Sequence, residues 1–144
     1  MAVRWVADPA DLPGVPGAYA LLLEMLRPVP LPPRRFAGEL AAGRYVYFGN
    51  AWGAGGIRSR CLRHFRRTKR RHWHVDWLME SADHPLAVAF PGMDECDLVH
   101  RALAVAGESV PVPGFGSSDC RRCPAHLLAL ADRSPAGLLD LLYQ

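Results

Sequence analysis

The sequence predicts an α+β domain, and three observations carry that expectation. Two apolar stretches of strand length, Gly17 to Leu26 and Arg44 to Gly49, flank a proline-rich interruption. A cationic amphipathic segment follows from Ile57, and a short apolar run, Leu86 to Phe90, precedes a capped helical pattern from Asp94. Strand-like and helix-like periods therefore mix along a chain of 144 residues, a length that suits a single domain over 1–144 with one sizeable core.

Residues 1–15 read as an irregular lead-in that closes in the turn Pro13-Gly14-Val15-Pro16. Gly17 to Leu26 is apolar nearly throughout, as a buried strand is. The span 27–43 carries four prolines between Pro28 and Pro33. It is expected to be an excursion, a connection long enough for its flanking strands to pair antiparallel. Arg44-Tyr45-Val46-Tyr47-Phe48-Gly49 is the clearest strand, aromatic and β-branched and stopped by glycine.

The glycine-rich Gly49 to Gly56 turns the chain into a helix. At about 100° per residue Ile57, Cys61, Leu62 and Phe65 share a face, Arg60 and His64 border it, and Arg63, Arg66 and Arg67 fall in solvent. A second helix is expected from about Val75, and Leu86 to Phe90 is a short strand bounded by prolines. Asp94 suits the cap of a helix running to about Ala106, with Glu95 and Asp97 in its first turn. The last part, 110–144, reads as an extended loop, an apolar helical stretch reaching Ala131, and a closing helix that Ser134-Pro135 starts.

Charge is concentrated. Arg58 to Arg71 holds seven Arg and one Lys with His64, and no acid occurs between Glu39 and Asp76. Without those eight cations the remaining nine face 14 acids, a balance of −5 hidden inside an overall +3. Like charges at i, i+4 oppose a helix unless an anion offsets them, and a phosphate backbone is one such anion. A solvated face, an acidic protein or a membrane surface are the other readings. No apolar run approaches the length a bilayer requires, and no secretory pattern opens the sequence. Four cysteines then fit a reducing, cytoplasmic setting as thiols or metal ligands.

Two further clusters offer ligand chemistry. Cys120-x-x-Cys123-x-x-His126, with Cys96 on the helix of Glu95, has the ligand types of a zinc site; buried thiols beside a capping Asp119 are the alternative. His72, His74 and Asp76 would share one side of an extended segment, able to hold a metal or to orient phosphates. Ser118 sits on a glycine-flexible loop that could touch substrate.

With Gly17-Ala18-Tyr19 on the first strand, Tyr47-Phe48-Gly49 on the second and Arg60 with His64 on the next helix, the chain resembles the GIY-YIG nuclease superfamily. It looks closer still to the family called domain of unknown function 123, through Pro16-Gly17-Ala18-Tyr19, Gly55-Gly56, His72-Trp73-His74-Val75-Asp76, Glu95-Cys96 and Pro113 to Cys120. The superfamily resemblance implies a three-stranded antiparallel sheet flanked by helices and a metal-assisted phosphodiesterase site. It implies that Tyr19 and Tyr47 are the motif tyrosines, that Arg60 holds phosphate, and that Glu95 holds magnesium. Ala18 and Phe48 depart from the usual isoleucines at packing positions. Arg60 is preferred over Arg58 because it shares a helix side with His64.

The expected function is thus a magnesium-dependent endonuclease acting on nucleic acid, DNA ahead of RNA. Tyr19, Tyr47, Arg60, His64 and Glu95 are the expected catalytic group. Arg58, Arg63, Arg67, Lys69, His72, His74 and Ser118 are the expected substrate contacts. The alternatives are a non-catalytic nucleic-acid-binding module on the same fold and an interaction domain stabilised by zinc at Cys96, Cys120, Cys123 and His126.

Overall fold

The computed structural model describes residues 3–106, 109–117, 120–130 and 134–143. Its elements are, in order, β1 (Gly17–Met25), β2 (Val29–Pro30), β3 (Glu39–Leu40), β4 (Gly43–Ala51), α1 (Gly56–Phe65), α2 (His74–Met79), β5 (Asp83–Pro91), α3 (Glu95–Arg101), β6 (Leu127–Ala129) and α4 (Pro135–Leu142). A single 3-10 turn, Pro9–Asp11, precedes β1, and a π-helical turn over Ala102–Ala106 prolongs α3.

Strands β5, β1, β4 and β6 form one open antiparallel sheet in that order, and β2 pairs with β3 in a separate two-stranded ladder. The sheet therefore has four strands where three were expected. The fourth comes from the apolar stretch read as helical. Leu127, Leu128 and Ala129 pair with Tyr47, Val46 and Tyr45, and an apolar run this short has no period that distinguishes strand from helix. An unsatisfied strand edge decides the matter.

Register sorts the side chains onto two faces. Tyr19 lies opposite Gly49 and Leu21 opposite Tyr47, so the two tyrosines sit diagonally on one face with Leu23 and Met25. That face packs Ile57 and Cys61 of α1 and Val75 and Leu78 of α2. Ala18, Ala20, Val46, Phe48, Val88 and Phe90 occupy the other face, under Cys96, Leu98 and Val99 of α3 and Leu138, Leu139 and Leu142 of α4. Covering both faces explains why β1 is apolar at nearly every position instead of alternating. The expected caps are present: Asp94 accepts from Cys96 N at 2.7 Å, and Ser134 Oγ from Gly137 N at 3.0 Å.

The brevity of β6 matters for the site. It pairs only with Tyr45–Tyr47, and Phe48 N then bonds His126 O at 2.9 Å. Past Phe48 the edge of β4 carries no strand among the described residues, so residues from both faces of the sheet can meet there.

Candidate functional site

At that end of β4 lies a cavity of about 620 Å3, lined by Tyr19, Tyr47, Asn50, Arg60, His72, Trp73, His74, Trp77, Glu95, Cys120 and His126 among others. Glu95 belongs to α3, on the opposite face from the tyrosines, and reaches the cavity around the uncovered edge. Asn50 Nδ2 donates to Glu95 Oε1 at 2.8 Å and fixes it there. The structure thus brings Tyr19, Tyr47, Arg60 and Glu95 to one concavity, with His64 directly behind Tyr19.

The chain of contacts running inward from Tyr19 is built from groups that are almost wholly enclosed. Tyr19 is 1 % exposed, His64 1 % and Asp76 0 %. Tyr19 Oη and His64 Nε2 are 2.6 Å apart, and the buried His64 Nδ1 has Asp76 Oδ1 as its facing group at 3.8 Å, too long for a hydrogen bond. A carboxylate on that side assigns the ring proton to Nδ1, which makes Nε2 the acceptor of the tyrosine hydroxyl. Burial lowers the His64 pKa below its ordinary value, more than Asp76 raises it, so the imidazole is neutral. Burial likewise raises Tyr19 well above a free phenol and raises Tyr47 too; the Arg60 guanidinium offsets part of both shifts.

Asp76 anchors this chain. Burial would raise its pKa, yet the imidazole of His64, the Arg63 guanidinium and two backbone N–H groups outweigh that and hold the carboxyl far below the usual range. Arg63 donates to it through Nη1 at 3.1 Å and Nη2 at 2.9 Å, and the N–H groups of His72 and Trp73 donate at 2.7 and 2.9 Å. Asp76 is the first acid after the basic block, and it supplies from within the fold part of the anionic complement that the block lacks in sequence.

Two glycines make room for the phenols. A Cβ on Gly49 would collide with the hydroxyl end of Tyr19. Gly116, at φ +73°, lies so close to the Tyr47 ring that a Cβ would stand 2.8 Å from it.

Several expected substrate contacts have other partners. Arg63, expected in solvent, is half-buried in the Asp76 pair, whereas Arg67 stays exposed as expected while its guanidinium donates to the carbonyls of Met79, Glu80 and Ala82 at 3.1–3.2 Å. Lys69 Nζ closes the end of α1 on the carbonyls of His64 and Arg66, and Arg58 Nε donates to Leu12 O at 2.7 Å. A helical period for α1 alone could not register these partners of Arg58, Arg63 and Arg67, which lie 12 to 46 residues away. His72 does line the cavity, and His74 both lines it and accepts from Gly116 N at 2.8 Å. Because α2 starts at His74, the extended alignment of His72, His74 and Asp76 does not form, and Asp76 turns inward. Ser118 and Asp119 lie outside the described residues.

Cys96, Cys120, Cys123 and His126 also meet. One ligand atom from each lies within 4.8 Å of the others, with Cys96 Sγ 3.2 Å from Cys120 Sγ and 3.8 Å from His126 Nε2. This Cys3His set could hold a metal, and its soft donors suit zinc better than magnesium. Cys120 and His126 line the cavity as well, so the cluster and the cavity share a wall. Glu95, by contrast, presents a hard oxygen with Asp94 beside it, the donor type that magnesium takes.

Sequence reasoning missed Asn50, Trp73, Arg34 and Arg35 as cavity residues. The signals available were slight: Asn50 directly follows the strand-ending Gly49, and Trp73 is enclosed by two histidines.

A family model described as "Domain of unknown function DUF123" matches residues 18–140. The chain belongs to that family. The DUF123 match runs from β1 into α4 and therefore contains the cavity residues and the Cys3His cluster. Comparison with curated proteins and with solved structures gives no match. Among the described residues, no helix is long and apolar enough to cross a membrane.

Proposed function

We propose that this DUF123 protein is a GIY-YIG-like endonuclease that hydrolyses phosphodiesters with magnesium at Glu95. The observation that carries the proposal is the convergence of Tyr19, Tyr47, Arg60 and Glu95 on one cavity, although Glu95 comes from the far face of the sheet. Arg60 offers a planar, permanently charged fork for the phosphate, and the Trp73 ring, 4.9 Å from its Cζ, holds that fork in place. Tyr47 forms part of the same wall. Magnesium on Glu95 would supply charge for the phosphate oxygens and acidify a water.

The tyrosine and histidine then divide the proton handling. Burial keeps Tyr19 protonated, so it serves as a base only by passing its own proton onward as it takes one from water. His64 Nε2, neutral and 2.6 Å away, receives that proton, and Asp76 stabilises the imidazolium formed. Asn50 holds Glu95 at the cavity, where its carboxylate would take the cation. Zinc in the Cys3His cluster would tie the start of α3, and with it Glu95, to the segment that leads into β6.

The test is cleavage of labelled single-stranded, duplex, flapped and branched DNA and RNA with magnesium or with chelator. Magnesium-dependent products that disappear with Glu95→Ala are expected. Binding without cleavage, indifferent to Glu95→Ala, would instead favour the non-catalytic binding module.

A further inference from the structure

We infer that the cavity admits a strand carrying an unstacked nucleotide, with its base against Trp73, rather than the backbone of an intact duplex. This rests on the phosphodiesterase reading above and adds the class of substrate to it. The first argument is depth. Tyr19 and Tyr47 are 1 % and 5 % exposed, and the cavity of about 620 Å3 falls within the range of about 300–1,000 Å3 that holds small molecules. It has room for one nucleotide but not for a double helix, whose major groove alone is about 12 Å wide. A strand that leaves the helical stack is thus the form that brings a phosphate furthest toward the phenols.

The second argument is the chemistry of the walls. Trp73 and Trp77 line the cavity together with His72 and His74. The Trp73 indole is already oriented, with the Arg60 guanidinium over it at 4.9 Å and the His72 ring edge-on at 4.6 Å. Because Arg60 already covers one indole face, a base stacks on the remaining face or on the guanidinium plane itself, and in either place it joins groups that are already held. Phosphate contacts alone require no aromatic surface, whereas unpaired bases stack on indole, imidazole and guanidinium planes.

The third argument is the proline-rich excursion, which is folded onto the cavity. Pro32 O accepts from Arg35 N at 3.2 Å and from Phe36 N at 3.1 Å, and the Phe36 ring seats on His74 and Phe115 at 5.1 and 5.6 Å. Arg34 and Arg35 are thereby held at the cavity, a cationic rim for the strand that leaves it. Next to the cavity, a groove lined by Arg66 and Arg70 shares His72 with it and offers the adjoining stem a cationic path, while Arg71 beside them is paired with Glu80.

The experiment uses the full chain with Glu95→Gln, without magnesium, so that binding is read apart from cleavage. Affinities are measured by anisotropy for one DNA sequence as a full duplex, as a single strand, and as a duplex with an unpaired arm carrying 2-aminopurine at the junction. We expect the two unpaired forms to bind roughly 10-fold or more tightly than the duplex, with altered 2-aminopurine emission. Adding Trp73→Ala should weaken them by roughly 5- to 150-fold, the usual worth of one stacked base, and by several-fold more than it weakens the duplex, with Trp73→Phe restoring most of the loss. Equal affinity for duplex and unpaired forms overturns the inference, and this comparison does not depend on Trp73→Ala folding. An equal loss on both forms with Trp73→Ala also overturns it. Should the magnesium-loaded parent cut intact duplex as readily as junctions, this inference falls and the endonuclease reading stands; if no nucleic acid binds, both fall.

Discussion

Asp76→Asn is the perturbation whose cost the structure defines most closely. The carboxylate is wholly enclosed and receives both Arg63 amino groups and two backbone N–H groups, all between 2.7 and 3.1 Å. An amide retains one acceptor oxygen and turns an NH2 toward a donor, which leaves the Arg63 charge without a counter-ion. Neutralising one member of a buried pair costs roughly 3–5 kcal/mol. The Arg63 side chain keeps 23 % of its exposure and recovers some hydration, so the expected loss is about 2–4 kcal/mol. A loss near the middle of that range lowers Tm by roughly 6–12 °C for a domain of this size. Urea unfolding at pH 7.5, followed by tryptophan emission with m unchanged, measures the loss. A value under about 1 kcal/mol would refute the view that Asp76 is the internal anchor of the basic helix.

Other outcomes follow from the same contacts. Because the His64 pKa is depressed in the fold, the unfolded chain takes up that proton first on acidification. Stability should therefore fall as pH drops below about 6.5. The acid limb of cleavage should also have its midpoint below about 6.5, and His64→Gln should abolish the limb; a limb centred above pH 7 would speak against a neutral His64. Gly49→Ala pushes a methyl into the Tyr19 hydroxyl and should slow cleavage by about 100-fold at a stability cost of roughly 1–3 kcal/mol, read by single-turnover kinetics and urea unfolding. Elemental analysis of protein expressed with zinc should give stoichiometric metal, lost with Cys120→Ser and unaffected by Tyr19→Phe. Protein free of zinc and equally stable with and without chelator would remove zinc from the account.

The tyrosine side of the site was legible because strand alternation is local. Tyr19 and Tyr47 follow from two clear strands, and antiparallel pairing puts them on one face without knowledge of anything distant. The caps Asp94 and Ser134 were legible for the same reason. Arg63 was not, since a helix period assigns it to solvent and only the later arrival of Asp76 turns it inward; Arg67 stays exposed as that period predicts, but its bonds to the 79–82 backbone lie beyond any helical repeat. β6 was not either, because three apolar residues become a strand only when the exposed edge of β4 is there to receive them. The thiol spacing suggested a ligand set, but Cys96 joins it only through the seating of α3 on the second face of the sheet.

The most direct test of the endonuclease account is single-turnover cleavage of one labelled DNA junction, run in magnesium with the parent, Tyr19→Phe and Glu95→Gln. Each variant should bind the junction within a few-fold of the parent and cleave it at least about 100-fold more slowly. Cleavage at the parent rate by either variant, in protein that unfolds at the parent temperature, would contradict it.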